Sequence, residues 1–442
     1  MGHLSIFTRE EIESLGPPIL EELSDAGVSE GLLADLALKH LSRLVDPTGP
    51  VLAEKLNLPC VLTEELLYRL YREKLIEMRL QSASGATRYA MLDHGWQRVA
   101  QLQSRCAYLG PAPVSLSDYQ HMMRLQAKPL RPASMQSVRA ALHDMVLPKT
   151  ILETLGCAIN SRSSLFLTGP SGSGKTALTH RINRSLFGFI WIPYALEVDG
   201  EIIRIFDANC HKPAPDISKL ENDRRWIRIE RPLVTVGGDL TLEDTSLSWS
   251  AGFYEAPFQV KSNGGTLVID DFGRQRVAPQ DLLNRWILPL EARTDLLTLR
   301  DGRKVEFPFE PMVIFSTNLD EYSLFDEAFL RRIGYRVRLE QPTLHAYVEI
   351  LNQSANERGM QLDSSKLNHL LKKYEDDQRP MRGSEPGDLL NRIRDLCLFR
   401  NCSLQITNEL IDAAWDSYFG SNNGNGSKKS LSPTALAAPV AV

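Results

Sequence analysis

The spacing of hydrophobic residues changes along the chain and divides it into regions. In residues 31–44 and 63–78, apolar side chains recur every three or four positions, which predicts amphipathic helices. Residues 49–59 predict a shorter helix between them. In residues 78–92 two apolar runs flank a Gly/Ser-rich turn, which is typical of a β-hairpin. The N-terminal region is therefore predicted to contain three helices followed by a hairpin.

Beyond residue 150, short apolar runs alternate with helical spacing. Five runs are predicted as strands: SLFLTG, IWIPYALEV, TLVIDDF, MVIFSTN and YRVRLEQ. This alternation predicts an α/β fold over residues 150–340, with a parallel sheet covered by helices on both faces. Residues 341–420 have helical spacing throughout. The last segment, 421–442, is rich in Asn, Gly and Ser without periodicity and is predicted to be disordered.

Two N-terminal segments complete the domain organisation. The order of elements in residues 1–110 resembles a winged helix, so we expect a winged-helix-like domain there. Residues 111–149 contain five prolines and are locally basic. They are predicted to be a linker, with a helix packed on the following domain as the alternative.

Composition narrows the possible functions. The chain has 442 residues, of which 43% are apolar and 24% charged, as expected for a globular protein of more than one domain. A net charge of −5 provides no general attraction to nucleic acid or membranes. No apolar stretch is long enough to span a bilayer and we find no signal-peptide core, so we expect a cytoplasmic protein. The six cysteines are scattered, and even the nearest pair, Cys397 and Cys402, lacks partners for a zinc site. Reduced thiols are expected.

The clearest chemical signal is Gly-Pro-Ser-Gly-Ser-Gly-Lys-Thr, which lies between a predicted strand and a predicted helix. This is the G-x-x-x-x-G-K-[ST] phosphate loop in its required context. Its glycines let the backbone turn its N–H groups toward a phosphate, and the following helix adds the positive end of its dipole. Lys175 is expected to reach the β- and γ-phosphates, and the Thr176 hydroxyl to contact Mg²⁺. The predicted nucleotide-binding residues are Gly169, Pro170, Ser171, Gly172, Ser173, Gly174, Lys175 and Thr176.

Polar residues also follow later strands. Asp270 is expected to hold Mg²⁺ through water, and Asp271 to orient or deprotonate an attacking water. Asn318 would place an amide near the γ-phosphate, where it can hold that water or sense loss of the phosphate. Arg331 and Arg332 precede the final strand, and a guanidinium there can neutralise transition-state charge across a subunit boundary.

The ordered series GPSGSGKT, TLVIDDF, IFSTN and DEAFLRRI, followed by an all-helical segment, resembles the AAA+ ATPases over about residues 150–420. The resemblance implies four motifs: Walker A at 169–176, Walker B at 267–271, sensor 1 at Asn318 and an arginine finger at Arg332 or Arg331. It also implies ATP and Mg²⁺ as cofactors, ATP hydrolysis and a helical lid at 341–420. The chain is further expected to form a homo-oligomeric ring, commonly a hexamer.

Two features narrow the branch of this family. The Asp-Gly hairpin predicted at 294–308 and the extra sequence at 231–249 resemble the presensor hairpin and helix-2 insert of MoxR-type chaperones and bacterial enhancer-binding activators. The GAFTGA loop of those activators is absent. The second acidic residue of Walker B is Asp271 where the family usually has Glu. Gly387 occupies the position at which the family usually has its sensor 2 arginine, and Arg382 and Arg392 are the candidates to replace that arginine.

The use of the ATP is open to three interpretations. The first is a ring that remodels, assembles or activates a protein client, with Trp249, Phe253 and Tyr254 as core residues or, alternatively, a pore loop. The second is a DNA-associated ATPase, which is disfavoured because residues 1–110 contain eleven Lys and Arg but fifteen Asp and Glu. The third is a nucleotide switch with little or no hydrolysis.

Overall fold

The computed structural model describes residues 16–80, 87–127, 132–185, 188–215, 222–319 and 331–420. Contacts divide the chain into two compact units, residues 1–340 and residues 341–442. The predicted tail at 421–442 and most of the DEAFLRRI motif lie outside the described residues. None of the described helices is long and apolar enough to cross a membrane.

The first unit begins with helices whose apolar faces meet around a hairpin. The elements are α1 (Glu30–Leu41), α2 (Gly49–Leu56), α3 (Cys60–Arg72), β1 (Ile76–Leu80), β2 (Thr87–Met91) and α4 (Asp93–Arg105). The Ser29 side chain accepts a hydrogen bond from the Leu32 N–H and caps α1. The core of these helices also contains Ala195 and Ile202. The N-terminal helices therefore share a core with strands from much later in the chain.

Residues 111–149, for which a linker and a packed helix were the predicted alternatives, contain β3 (Val114–Ser115), α5 (Leu116–Gln126) and α6 (Met135–Ala141). Tyr119, Met122 and Met123 of α5 are buried and pack with the second sheet of this unit. The Gln126 amide also bonds the backbone of Trp191, as donor to its carbonyl and acceptor from its N–H.

The central sheet of the first unit has five strands, all parallel, in the order β16-β4-β15-β12-β9. They are β4 (Leu165–Thr168), β9 (Leu233–Val236), β12 (Thr266–Ile269), β15 (Met312–Thr317) and β16 (Tyr335–Arg338). Successive residues point to opposite faces. Phe166 packs with the helix α10 (Pro279–Ala292), whereas Leu165 and Leu167 pack with the helices α7 (Lys149–Ser161) and α8 (Lys175–Ser185). The predicted α/β fold with a covered parallel sheet is confirmed.

A second, mixed sheet has the strand order β10-β11-β7-β6-β3. Its other strands are β6 (Ala195–Val198), β7 (Glu201–Arg204), β10 (Ser248–Ser250) and β11 (Phe253–Glu255). Beside it lie the antiparallel pair of β5 (Phe189–Pro193) with β8 (Trp226–Glu230), the short helix α9 (Phe258–Lys261), and the hairpin of β13 (Thr294–Thr298) with β14 (Lys304–Pro308). The hairpin predicted at 294–308 is therefore confirmed.

One strand prediction is wrong. The run IWIPYALEV, expected in the parallel sheet, forms β5 and β6, and neither strand belongs to that sheet. Its place is taken by β9, which lies in the sequence RPLVTVGGD. Both runs are largely apolar, and an apolar run indicates a strand without indicating which sheet it joins.

The second unit is helical. It contains α11 (Leu344–Glu357), α12 (Ser364–Asp376), α13 (Glu385–Phe399) and α14 (Asn408–Phe419). Side chains of Thr343, Asp363 and Thr407 cap three of these helices. Within the core, the Tyr347 hydroxyl donates to the Tyr374 hydroxyl at 2.8 Å, and that of Tyr374 donates to the Glu385 carboxylate at 2.8 Å.

Candidate functional site

The loop after β4 has the backbone conformation that its glycines allow. Gly172 and Gly174 have φ of 79° and 91°, in the left-handed region that favours glycine. At Gly169, an added Cβ would lie 2.2 Å from the Leu339 carbonyl oxygen, so a side chain there would collide with the backbone that follows β16. Helix α8 begins at Lys175, directly after the loop. The unpaired N–H groups of its first turn and its dipole therefore favour an anion at the loop.

Lys175 joins the loop to a neighbouring strand. Its ammonium donates to the carbonyl oxygens of Gly169 at 2.8 Å and Pro170 at 3.0 Å, and to the side-chain oxygen of Asn318 just beyond β15. Only 8% of Lys175 is exposed. Burial lowers the pKa of this amine, while the carboxylates of Asp270 and Asp271 act in the opposite direction. An anion at the loop would further favour the charged form.

A hydroxyl and a carboxylate lie together beside Lys175. The Thr176 hydroxyl is 3.4 Å from an Asp270 carboxylate oxygen, and the other oxygen of that carboxylate accepts the Asp271 N–H at 3.0 Å. Oxygen ligands of this kind suit Mg²⁺, which commonly takes one or two from the protein and others from phosphates and water. Within the described residues, no cluster of three or more His, Cys, Asp or Glu could hold a metal by itself.

A buried polar atom of the loop has no hydrogen-bond partner among the described residues. The Ser173 hydroxyl is buried, and the described residues offer it no hydrogen bond. Buried hydroxyls are normally satisfied. Together with the glycine conformations and the Thr176–Asp270 pair, this hydroxyl fits a loop that binds phosphate with Mg²⁺.

Asp271 adopts an unusual backbone conformation. Its φ is 48°, in the left-handed region, which for a non-glycine residue costs about 1 kcal/mol or more. Its carboxylate lies 3.4 Å from the Asn318 amide nitrogen. The following residue, Phe272, donates its N–H to the Ser316 carbonyl at 2.8 Å. The turn is therefore fixed against β15, and this places Asp271 beside Asn318.

Two residues that the sequence did not single out hold this turn. The Gln275 amide donates to the Asp270 carbonyl at 2.9 Å and accepts the Gly273 N–H at 2.8 Å. The Thr317 hydroxyl donates to the Phe272 carbonyl at 2.7 Å. Thr317 stands directly before Asn318 in a polar strand end, which was a usable signal. Nothing in the sequence distinguishes Gln275 from an ordinary loop residue.

The two candidate arginines lie away from these residues. Arg332 precedes β16, and the Ser164 hydroxyl, just before β4, donates to its carbonyl at 3.2 Å. Because β16 and β4 are parallel, both arginines are at the amino edge of the sheet, whereas the loop is at the carboxyl edge. The Arg332 guanidinium lies 2.6 Å from the Glu291 carboxylate. The structure brings together Lys175, Thr176, Asp270, Asp271 and Asn318, and leaves out Arg331 and Arg332.

The remaining candidates lie elsewhere. Trp249 and Tyr254 stack edge to face with ring centres 4.6 Å apart, and Phe253 packs on Tyr108. In the second unit, the Arg392 guanidinium donates to the Ser417 hydroxyl at 3.0 Å and covers the Tyr418 ring. Arg382 lies 4.0 Å from the Glu385 carboxylate, and Gly387 is in the first turn of α13.

The glycine-rich loop on a covered parallel sheet, with two strand-end carboxylates beside it, has the arrangement of a P-loop fold. Solved structures similar to this chain include RuvB of Thermotoga maritima, a Holliday junction branch migration motor (14% identity, 62% of this chain and 70% of that chain, TM-score 0.36). Another is NtrX from Brucella abortus in complex with ATP. It is 15% identical in sequence, the match covers 79% of this chain and 63% of that chain, and the TM-score is 0.35. Similarities this low in identity and TM-score carry no conclusion about the function of this chain.

Sequence comparisons add one local match. Residues 343–417, which cover three helices of the second unit and most of α14, match a domain of unknown function (DUF8689). No curated protein matches the chain.

Proposed function

We propose that this protein binds ATP with Mg²⁺ at the carboxyl edge of the parallel sheet and hydrolyses it. One observation carries the proposal: the Asn318 side chain accepts a hydrogen bond from Lys175 and donates one to Asp271, although the three residues follow three different strands. Structural packing alone does not require an ammonium, an amide and a carboxylate at one strand edge.

Each residue has a role that its chemistry permits. The loop N–H groups and Lys175 would bind the phosphates, and Thr176 with Asp270 would hold Mg²⁺. When bound, Mg²⁺ neutralises charge on the β- and γ-phosphates. Asp271 would accept a proton from the attacking water or orient it, and the Asn318 amide would fix the direction of that carboxylate. Asp271 is one methylene shorter than the usual Glu, so a slow turnover is expected.

We further propose that ATP turnover acts on a protein client and that the working form is a ring, in which Arg332 or Arg331 contacts a nucleotide bound by a neighbouring chain. The position of both arginines at the amino edge supports a role between chains, because they lie away from the loop of their own chain. A cytoplasmic location belongs to the same proposal.

A protein client is favoured over DNA by the charges on α3. Its Arg69 guanidinium is already paired with Glu30 and Glu73, each at 3.1 Å. An arginine whose charge is already neutralised by carboxylates attracts the phosphates of DNA more weakly. Residues of the predicted winged helix therefore suit protein contacts better.

The test is phosphate release from ATP by the full chain with Mg²⁺, with mass measured in parallel by light scattering. We expect ATP-dependent phosphate release and a mass of several chains that increases with ATP. A monomer that binds ATP without releasing phosphate would exclude the hydrolytic ring and favour the nucleotide switch.

The arginines are tested by mixing chains. Arg332→Ala should lower turnover by about 1,000-fold if it is the intersubunit finger, without weakening ATP binding. Adding Lys175→Met chains, which retain Arg332, should restore part of the activity. Normal turnover in Arg332→Ala would assign the role to Arg331 or to neither residue.

A further inference from the structure

The end of helix α13 has a hydrogen-bond pattern that brings two cysteines together. The Cys402 N–H donates to the Cys397 carbonyl at 3.0 Å, and the Asn401 N–H donates to the Leu398 carbonyl at 3.2 Å. Asn401 has φ of 51°, in the left-handed region. These three features define a Schellman motif, in which the side chains corresponding to Cys397 and Cys402 normally make an apolar contact.

Here that contact joins two thiols. Burial raises the pKa of the Cys397 thiol, and the neighbouring Cys402 thiol acts in the same direction. Cys397 is 2% exposed within the core of the second unit, whereas Cys402 is exposed. An oxidant in solution therefore reaches Cys402, whereas the core of the second unit shields Cys397.

We propose that Cys397 and Cys402 form a site of reversible oxidation, at which a hydroperoxide converts the two thiols into a disulfide. The Cys402 thiolate attacks a peroxide oxygen, the O–O bond breaks, and the leaving oxygen takes up a proton to give water or an alcohol. The Cys397 sulfur then attacks the Cys402 sulfenic acid, the S–O bond breaks, and water leaves with the Cys397 proton. Two thiols are oxidised by two electrons, and one peroxide is reduced.

The backbone favours this step. A direct 3.0 Å hydrogen bond between the two residues keeps their backbones close, as a disulfide between them requires. The ring that it closes is short, and short rings remove little entropy from the unfolded chain. The disulfide is therefore expected to be readily reduced, as redox-sensing pairs are. This proposal is independent of ATP hydrolysis.

The test uses the full-length protein treated with hydrogen peroxide, then alkylated with iodoacetamide under denaturing conditions and digested with trypsin. Cleavage after Arg394 and Arg400 puts Cys397 and Cys402 on different peptides. We expect these peptides to appear as one linked species that dithiothreitol separates. In the untreated protein, both cysteines should carry the alkyl group.

Three variants sharpen the result. In Cys397→Ala, Cys402 should stop at the sulfenic acid, which dimedone traps. Asn401→Val should slow linkage by about tenfold because a β-branched residue disfavours the left-handed conformation, and Asn401→Gly should not. If Cys402 is oxidised beyond the sulfenic acid or joins another cysteine while Cys397 is still alkylated, the proposal is wrong. It is equally wrong if the exposed Cys157 is oxidised and Cys402 is not.

Discussion

The two five-stranded sheets of the first unit differ in where their strands end. In the parallel sheet all carboxyl ends lie at one edge, and Lys175, Asp270, Asp271 and Asn318 meet there. In the mixed sheet, neighbouring strands alternate between antiparallel and parallel pairing, so strand ends are distributed over both edges.

The charged side chains near the two sheets also differ in their arrangement. Near the mixed sheet, charged side chains form separate pairs, such as Arg204 with Glu255 at 2.6 Å and Lys261 with Asp207 at 2.7 Å. Beside the loop, one ammonium contacts two carbonyls and an amide, and two carboxylates adjoin it. Similar apolar strands therefore support packing in one sheet and candidate chemistry in the other, because only parallel strands bring several ends together.

The largest effect is expected at a strand-end carboxylate. Asp271→Asn should lower ATP turnover by about 100- to 10,000-fold, because an amide cannot accept the proton of the attacking water. ATP affinity should stay near the wild-type value. Glu255→Gln, at the end of β11 in the mixed sheet, is the matched control and should leave turnover unchanged. Unaltered phosphate release by Asp271→Asn would remove Asp271 from the chemistry.

Two buried lysines provide the next test. Lys175 and Lys39 are 8% and 5% exposed, and burial lowers the pKa of both. Lys175→Met should weaken ATP binding by about 100-fold, since charged hydrogen bonds to phosphate are lost. Calorimetric titration with ATP measures this change.

Lys39→Met should lower the stability of the protein and leave ATP binding unchanged. The Lys39 ammonium donates to the Tyr108 carbonyl and fixes α1 to the segment that leads into the mixed sheet. Its loss leaves that carbonyl unsatisfied and should lower the free energy of unfolding by about 1–3 kcal/mol, with ATP affinity retained. If Lys39→Met weakened ATP binding as much as Lys175→Met, the division of roles between the sheets would be wrong.

The sequence predicted the candidate catalytic edge better than its surroundings. β4, β12 and β15 are apolar runs followed by polar residues, and this signal is local. Membership of β9 in the parallel sheet depends on pairing with β12, a contact between distant segments that periodicity does not record. The left-handed conformation of Asp271 is likewise imposed by the bonds of its turn to β15, since aspartate alone does not require it.

The smallest effect concerns pH. His211 accepts the Asp207 N–H at its Nδ1 atom and lies 2.8 Å from the Lys261 carbonyl through Nε2, so the neutral ring satisfies both groups. Burial lowers the pKa of His211, although the negative charge of Asp207 acts to raise it. Below pH 6.5 the unfolded chain therefore binds more protons than the folded one, and stability falls as the pH decreases.

This pH effect is checked by denaturant unfolding. Protonation of His211 removes the hydrogen bond at Nδ1 and should lower the free energy of unfolding by about 1 kcal/mol. In His211→Gln, the decrease in the free energy of unfolding from about pH 7.5 to about pH 5.5 should be smaller than in the wild type. The buried His40 has its pKa lowered too, so some pH dependence should persist. An unchanged pH dependence in His211→Gln would show that this ring does not titrate on unfolding.

Hydrogen exchange measured with and without ATP and Mg²⁺ tests most directly whether the parallel edge is the nucleotide site. ATP should slow exchange in the loop at 169–176 and at the ends of β12 and β15, and leave β10 and β11 of the mixed sheet unchanged. Slowed exchange in β10 and β11 with no change in the loop would contradict the assignment.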